Sequence, residues 1–231
     1  MANLPGHQLE SEPPRFENPA PSHPLRDWVL LAEAAQAKPG GPKPHQYMTS
    51  CITASFQIAI EAHPSIRYIS RRTIVRNFPT KTLAMRAPIT FNGQYYDKPY
   101  VPDGIFGVEY PDGGRFYFIV EADRRTEPMQ RSGLETSSFV RKALQLNRVL
   151  GEGIYKEQFG LKAPMFCIIV TTQDEDKLVE MMEKTLKKAW FLLFTTAPEF
   201  RGFPRAPRVL VDLLDRPYHR AGHEDFIITS Y

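Results

Sequence analysis

A pair of strand-like segments joined by a tight turn constrains the fold of this chain more than any other feature of its sequence. Val101–Tyr110 and Phe116–Glu121 are rich in β-branched and aromatic residues, and the turn sequence PDGG follows the first of them. This pattern predicts a β-hairpin. Because side chains alternate between the faces of a strand, Asp103 at the start of the hairpin and Glu121 and Asp123 at its end bring carboxylates together.

Helical and strand-like segments alternate on either side of this hairpin. Apolar residues recur at helical spacing in some segments, whereas other segments are short apolar runs bounded by turn residues. The helical segments are 25–37, 45–62, 134–150 and 172–188, and the strand-like segments outside the hairpin are 66–70, 87–91, 165–171 and 191–195. This order predicts an α/β fold with a mixed central sheet flanked by helices on both faces.

The sequence divides into a tail, a domain and an extension. Residues 1–25 contain six prolines and no apolar periodicity, which predicts a flexible tail. Residues 26–196 hold the alternating segments and predict one packed domain. Residues 197–231 have short strand-like runs at 209–214 and 226–229, and they predict an extension packed on the same domain.

Several classes of protein are excluded by composition. No apolar run approaches the roughly 20 residues of a membrane-spanning helix, and the N-terminal residues lack the apolar stretch of a signal peptide. We therefore expect a cytoplasmic protein without membrane contact. The two cysteines, Cys51 and Cys167, lie in apolar patterns that predict buried thiols rather than a disulfide or a zinc site.

A basic segment covers residues 65–86, which contain six Arg or Lys residues and no carboxylate. Such a segment can follow a phosphate backbone, although an ordinary solvated surface has the same composition. Arg124 and Arg125 come directly after the hairpin, and they can contact phosphate or form ion pairs that fix the loop. The arginines predicted to bind nucleic acid are Arg71, Arg72, Arg76, Arg124 and Arg125.

The carboxylates of the hairpin predict a metal site. Mg²⁺ and Mn²⁺ prefer oxygen ligands, and such an ion can position water against a phosphodiester and offset charge in the transition state. Asp103, Glu121 and Asp123 are the candidate ligands. Each motif alone also has a structural interpretation, because Pro-Asp-Gly is often a simple turn and a Glu at a strand end often pairs with Arg.

The hairpin also resembles a known family. The run VPDGIF at 101–106 and the run FIVEADRRTE at 118–127 resemble the hairpin of the PD-(D/E)XK nuclease superfamily, and more narrowly that of plasmid replication-relaxation family proteins. The resemblance covers about residues 45–150 and lacks the winged-helix segment expected upstream in that family. It implies a restriction-endonuclease-like αβββαβ core, DNA as the partner, and Asp103 and Glu121 as ligands of Mg²⁺ or Mn²⁺.

The third position of the motif departs from the superfamily. Asp123 stands where the superfamily has a lysine that orients water and stabilises the phosphorane. Some members supply that lysine from the next helix, and Lys142 lies in the helical row expected to face the sheet. Gln145 resembles the glutamine that follows the motif in RecB-like nucleases, and it joins the predicted nucleic-acid contacts. If Lys142 lies elsewhere, Asp123 either completes an all-carboxylate metal site or marks a domain that binds DNA without cutting it.

Other polar residues have weaker functional interpretations. His45 begins the helix at 45–62, where we expect a helix-start or core residue more often than a member of the site. Glu61 ends that helix and is a candidate additional acid. His219 and His223 have the i, i+4 spacing of zinc ligands on a helix, but the glycine between them favours a loop.

Three functions are compatible with the sequence. The first is a metal-dependent DNA nuclease in plasmid or mobile-element biology, with a catalytic set of Asp103, Glu121, Asp123 and Lys142. The second is a non-catalytic DNA-binding replication-relaxation factor with the same fold. The third is a protein-interaction module in which the acidic hairpin is only structural. Many nucleases of this fold pair up, so a homodimer is left open.

Overall fold

The computed structural model describes residues 44–124, 138–186, 189–201 and 209–230, which belong to one compact unit, Gly40–Tyr231. The predicted tail, the predicted helix at 25–37 and Arg125 lie outside the described residues. None of the described helices is both long and apolar enough to cross a membrane.

Helices and strands follow one another along the described chain. The helices are α1 (Pro44–Ala62), α2 (Arg71–Asn77), α3 (Phe139–Leu146), which continues into a π-helical turn (Asn147–Gly151), α4 (Ile154–Phe159) and α5 (Asp176–Thr185). The strands are β1 (Arg67–Ile69), β2 (Ile89–Phe91), β3 (Gln94–Tyr96), β4 (Gly104–Glu109), β5 (Arg115–Asp123), β6 (Met165–Thr171), β7 (Leu192–Thr196), β8 (Tyr218–Arg220) and β9 (His223–Phe226).

Among the described residues, seven strands form one mixed sheet in the order β1-β4-β5-β6-β7-β8-β9. β4 and β5 are antiparallel, with Ile105 opposite Ile119, which confirms the predicted hairpin. β5, β6 and β7 run parallel, and such strands need crossover connections, which contain α3, α4 and α5. The predicted α/β fold with a mixed central sheet is confirmed.

Helices cover both faces of this sheet because both faces of its central strands are apolar. On one face Phe56 of α1 stacks on Phe106 of β4, with ring centroids 4.7 Å apart, and Phe106 stacks in turn on Phe118. On the other face Ile105 and Ile119 join the buried side chains of α3 and α5 in one hydrophobic core. The central hairpin is thus packed between α1 and α3.

The described part of the C-terminal extension continues the sheet. β8 pairs with β7, and β9 pairs with β8. The Tyr110 hydroxyl at the end of the hairpin donates to the Ile228 carbonyl at 2.8 Å, and the Leu210 N–H donates to the Ser55 hydroxyl of α1 at 2.9 Å. Both contacts are buried, so they hold this segment against the sheet and α1.

The structure differs from the sequence-based predictions in several short segments. The strand predicted at 226–229 lies earlier in the chain, as β9 at His223–Phe226. No helix is predicted within the basic segment, but Arg71–Asn77 forms α2. Ser70 caps this helix by accepting a hydrogen bond from the Thr73 N–H at 3.2 Å. The strand predicted at 87–91 pairs with β3 in a separate two-stranded hairpin and does not enter the main sheet. The strand predicted at 209–214 is instead a 3-10 helix, Val211–Leu214, which buries two leucines.

Gly104, the first residue of β4, faces α1 at close range. A Cβ atom at this position would lie 2.9 Å from Cγ2 of Thr53. Gly104→Ala is therefore expected to lower the free energy of unfolding by about 1–3 kcal/mol, as overpacking does at buried sites. Chemical denaturation measures this loss. Adding Thr53→Ser removes the facing methyl group and should recover most of it, and a double variant no more stable than Gly104→Ala would contradict this account.

Candidate active site

Carboxylates meet at one end of the sheet, where β4 begins and β5 ends. Gly104 pairs with Val120, so Asp103 and Glu121 come next on the two neighbouring strands. Asp103 Oδ2 accepts a hydrogen bond from the N–H of Ala122 at 2.9 Å, which ties the start of one strand to the end of the other. The hairpin register therefore places these two acidic residues side by side.

The first helical turn of α1 contributes a histidine to this end of the sheet. His45 Nε2 lies 2.9 Å from Asp103 Oδ1, and the imidazole is only half-buried. Both oxygens of Asp103 are therefore engaged by the protein, one by His45 and one by the backbone of β5. Sequence patterns favour a helix-start or core residue at His45, because contacts between positions 58 residues apart, such as His45 and Asp103, leave no local pattern.

His45 is expected to titrate above its ordinary range. The hydrogen bond to Asp103 raises the pKa of His45 above 6.5, burial lowers it, and the negative charge of Asp103 raises it further. Because the folded-state pKa exceeds the unfolded one, stabilisation by protonated His45 is fully present below about pH 6.5 and is lost as the pH rises through the folded-state pKa.

An NMR titration of the His45 ring in metal-free protein measures this pKa directly. We expect a value above 6.5 in the unmodified chain, and a lower value in the Asp103→Asn variant, because the amide keeps the shape of the side chain but removes its charge. A titration curve for His45 that is the same in both proteins would contradict the assigned contact.

Glu121 is a buried carboxylate, with only 5% of its surface exposed. Its Oε1 accepts from the hydroxyl of Tyr100 at 2.5 Å, and its Oε2 lies 3.2 Å from Nζ of Lys142. Burial raises the pKa of Glu121 above its ordinary 4.5, and the positive charge of Lys142 offsets part of this effect. Glu121 is thus a carboxylate held in a mostly apolar site by two donors.

The helical spacing of α3 explains how Lys142 reaches Glu121. Ser138 caps the helix by accepting from the Arg141 N–H at 3.3 Å, and Phe139, Ala143 and Leu146 are buried against the sheet. Lys142 follows the same buried row, so its stem packs while its ammonium group points to the strand end. This placement agrees with the helical spacing in the sequence, and the catalytic role of Lys142 stays a prediction.

Asp123 does not form a three-residue group with Asp103 and Glu121 in the structure, and its role as a metal ligand stays a prediction. It lies two residues beyond Glu121, about 7 Å further along β5, and its Oδ2 accepts from the Thr171 hydroxyl at 3.2 Å. Among the residues that the structure describes, no three or more His, Cys, Asp or Glu form a group that could hold a metal ion. The predicted all-carboxylate site is therefore not formed.

A small cavity adjoins the site. Glu121, Asp123 and Lys142 line it on the polar side, and apolar side chains of α3 and α5 close the other side. Its volume of about 20 Å³ leaves room for roughly one water molecule. Asp123 thus borders the same space as Glu121 and Lys142.

The residues predicted to bind nucleic acid are divided between surface and core. Arg71, Arg72 and Arg76 are exposed on α2, and Arg124 is half-buried directly after β5. Gln145 is instead buried, with 3% of its surface exposed, and its amide donates to the Lys98 carbonyl at 3.0 Å. The prediction that Gln145 contacts nucleic acid is thus not supported, because the side chain is already used inside the protein. The roles of the arginines stay predictions.

Two further candidates lie away from the site. Glu61 is 16 residues from His45 on α1, or about 24 Å along the helix axis, so the prediction of an additional acid at the site is wrong. His219 and His223 lie on the two strands of the β8–β9 hairpin, not on a helix. His219 Nδ1 lies 2.9 Å from Asp225 Oδ1, within hydrogen-bonding distance at the surface.

Comparisons with known proteins do not assign this chain to a family. No protein-family model matches it, and no curated protein sequence matches it. Among solved structures, the MunI restriction endonuclease in complex with cognate DNA is similar at 11% sequence identity and a TM-score of 0.32, over 74% of this chain and 87% of that chain. The order and pairing of the strands define the fold, and the resemblance to replication-relaxation proteins stays a prediction.

Proposed function

We propose that this chain is a divalent-metal-dependent nuclease that hydrolyses phosphodiester bonds of DNA. The observation that supports the proposal is the meeting of Asp103, Glu121 and Lys142 at one end of the sheet, with Lys142 Nζ 3.2 Å from Glu121 Oε2. Two carboxylates at the end of a hairpin can hold a divalent ion, and the neighbouring ammonium group can stabilise negative charge during hydrolysis.

The donor set fits Mg²⁺ or Mn²⁺. Mg²⁺ keeps several waters and is commonly bound by one or two carboxylates together with substrate phosphates, so a group of three protein ligands is not required. Asp103 and Glu121 would hold the ion, and both are carboxylates on neighbouring rigid strands. When bound, a divalent ion lowers the pKa of a coordinated water and offsets charge on the phosphoryl oxygens.

The surrounding residues have distinct tasks in this proposal. Lys142 places a positive charge beside Glu121, where it can orient the attacking water and stabilise the negative charge that develops on the phosphoryl group. His45 and the Ala122 N–H hold the two oxygens of Asp103 in place. Water adds to phosphorus and releases a proton to solvent, the P–O bond to the leaving sugar oxygen breaks, and that oxygen takes up a proton from solvent, so one water is consumed for each bond cleaved.

The test is incubation of the purified protein with supercoiled plasmid, linear duplex and single-stranded DNA, each with Mg²⁺, with Mn²⁺ and with EDTA. Asp103→Asn purified in parallel controls for a contaminating nuclease. Cleavage that needs the divalent ion and disappears in the variant is the expected result. Stable DNA with the unmodified protein under every metal condition would refute the nuclease.

A second function, DNA binding without cleavage, is favoured by a separate observation. Asp123 stands where the resembled superfamily has lysine, and its carboxylate is held by Thr171. Glu121 and Asp103 each have a basic partner within the protein, Lys142 and His45. Binding of DNA in the same assay, weakened by salt but without cleavage, would support this function and a role in plasmid or mobile-element biology.

A further inference from the structure

A buried tyrosine donates a hydrogen bond to one carboxylate of the candidate metal site. Tyr100 is 4% exposed, and its hydroxyl donates to Glu121 Oε1 at 2.5 Å. Lys142 occupies the other oxygen, Oε2, at 3.2 Å. The carboxylate is therefore held from two sides, by a neutral donor on one oxygen and by a cation on the other.

The backbone around Tyr100 is fixed more firmly than that of an ordinary loop. Its N–H and C=O both pair with Met85, each at 2.8 Å, in an isolated antiparallel bridge. Two residues earlier, the Lys98 carbonyl accepts from Gln145 of α3 at 3.0 Å. The segment that carries Tyr100 is thus anchored to the same helix that carries Lys142, and it leads directly into Asp103.

The chemistry of a phenol suits this position. A phenol is protonated at neutral pH and donates a hydrogen bond without adding positive charge. It can therefore fix the rotamer of a carboxylate without competing electrostatically with a cation that the carboxylate binds. Hydrogen bonds to metal-binding carboxylates orient them in this way in metal sites generally.

We propose that Tyr100 is a positioning residue for the metal site, whose hydroxyl orients the carboxylate of Glu121 so that it and Asp103 bind one divalent cation. The inference rests on the proposed function and adds a residue that does not touch the substrate. Because Tyr100 is buried, removing its hydroxyl should change metal binding and leave the DNA-binding surface unchanged.

Tyr100→Phe tests this proposal, with Tyr218→Phe as a matched control. Tyr218 is fully buried, and its hydroxyl also donates a 2.5 Å hydrogen bond, but to the Leu213 carbonyl in the C-terminal segment. Both variants lose one buried hydroxyl and its hydrogen bond. A purely structural role predicts similar losses of thermal stability and no difference between the variants in metal affinity.

The affinity for Mn²⁺ is measured by the electron paramagnetic resonance signal of the free ion, and cleavage is measured as kcat and KM for DNA over a range of Mn²⁺ concentrations. We expect Tyr100→Phe to weaken Mn²⁺ binding by about 10-fold or more, as loss of an outer-shell hydrogen bond does at other metal sites. Excess Mn²⁺ should restore its kcat, its KM for DNA should stay unchanged, and Tyr218→Phe should match the unmodified protein.

Two results overturn the proposal, and they differ in what else they imply. If the unmodified protein binds Mn²⁺ and cleaves DNA while Tyr100→Phe has the same Mn²⁺ affinity as Tyr218→Phe, the positioning role is refuted and the nuclease stands. If the unmodified protein binds no Mn²⁺ at the site, with Asp103→Asn making no difference, the positioning role and the proposed function are refuted together.

Discussion

Asp103→Asn is expected to lower kcat for DNA cleavage by about 10³-fold or more, because the metal ion's stabilisation of the transition state amounts to several kcal/mol and each 1.36 kcal/mol is a factor of ten. The amide has the size of the carboxylate. In the unmodified protein the Ala122 N–H lies 2.9 Å from Oδ2 of Asp103, and the amide oxygen can accept the same hydrogen bond. The variant should therefore fold normally and lose the negative charge that holds the cation.

Asp112→Asn is the matched control for this substitution. Asp112 lies in the turn at the other end of the same hairpin, where its Oδ1 accepts from the Gly114 N–H at 2.8 Å. Its replacement removes an equal charge from an exposed turn, so we expect full activity. Steady-state cleavage at saturating Mg²⁺ separates the two, and an Asp103→Asn protein as active as Asp112→Asn would remove Asp103 from the site.

The central part of the fold could be predicted from local sequence patterns, because its contacts join residues that are close together in the chain. The β4–β5 hairpin needs only two apolar strands and the four-residue turn between them, so its pairing, Gly104 opposite Val120, follows from a short stretch of sequence. The same holds for Lys142, because the buried row of α3 sets the direction of its side chain. These features also brought Asp103 and Glu121 to one end of the sheet.

The partners of the two carboxylates could not be predicted from local patterns. His45 lies 58 residues from Asp103, and Tyr100 lies 21 residues from Glu121 and on no predicted strand. For Gln145, the resemblance to RecB-like nucleases predicts a nucleic-acid contact, whereas its amide donates to the Lys98 carbonyl, 47 residues away, and its side chain is buried. Hydrogen bonds between distant segments leave no periodic pattern, so only the tertiary structure reveals them.

Lys142→Met is the substitution that best separates the nuclease from the DNA-binding function. Methionine keeps an unbranched apolar stem of similar length on α3 and removes the charge 3.2 Å from Glu121 Oε2. If Lys142 stabilises charge on the phosphoryl group, kcat should fall by about 10²–10³-fold, the range found when a preorganised donor is removed from an active site. DNA affinity should stay near that of the unmodified protein.

The same substitution is also expected to raise the pKa of Glu121. Lys142 lowers the pKa of Glu121 against the effect of burial, so its loss raises that pKa further and favours the protonated acid. Metal binding by Lys142→Met should therefore weaken at acidic pH and recover as the pH rises. The cost in unfolding free energy should be at most about 3 kcal/mol, because a protonated Glu121 avoids leaving a buried charge unpaired.

Lys184→Met provides the control, since Lys184 forms an exposed ion pair with Glu180 one helical turn away on α5, at 2.5 Å. Exposed pairs of this kind contribute little to stability because they are screened by solvent, so neither kcat nor stability should change appreciably. Cleavage assays at alkaline pH, which favours ionised Glu121 and metal binding in both variants, compare the two directly. If Lys142→Met still cleaves like Lys184→Met there, Lys142 is a structural partner of Glu121, and the residue that completes the catalytic set lies elsewhere.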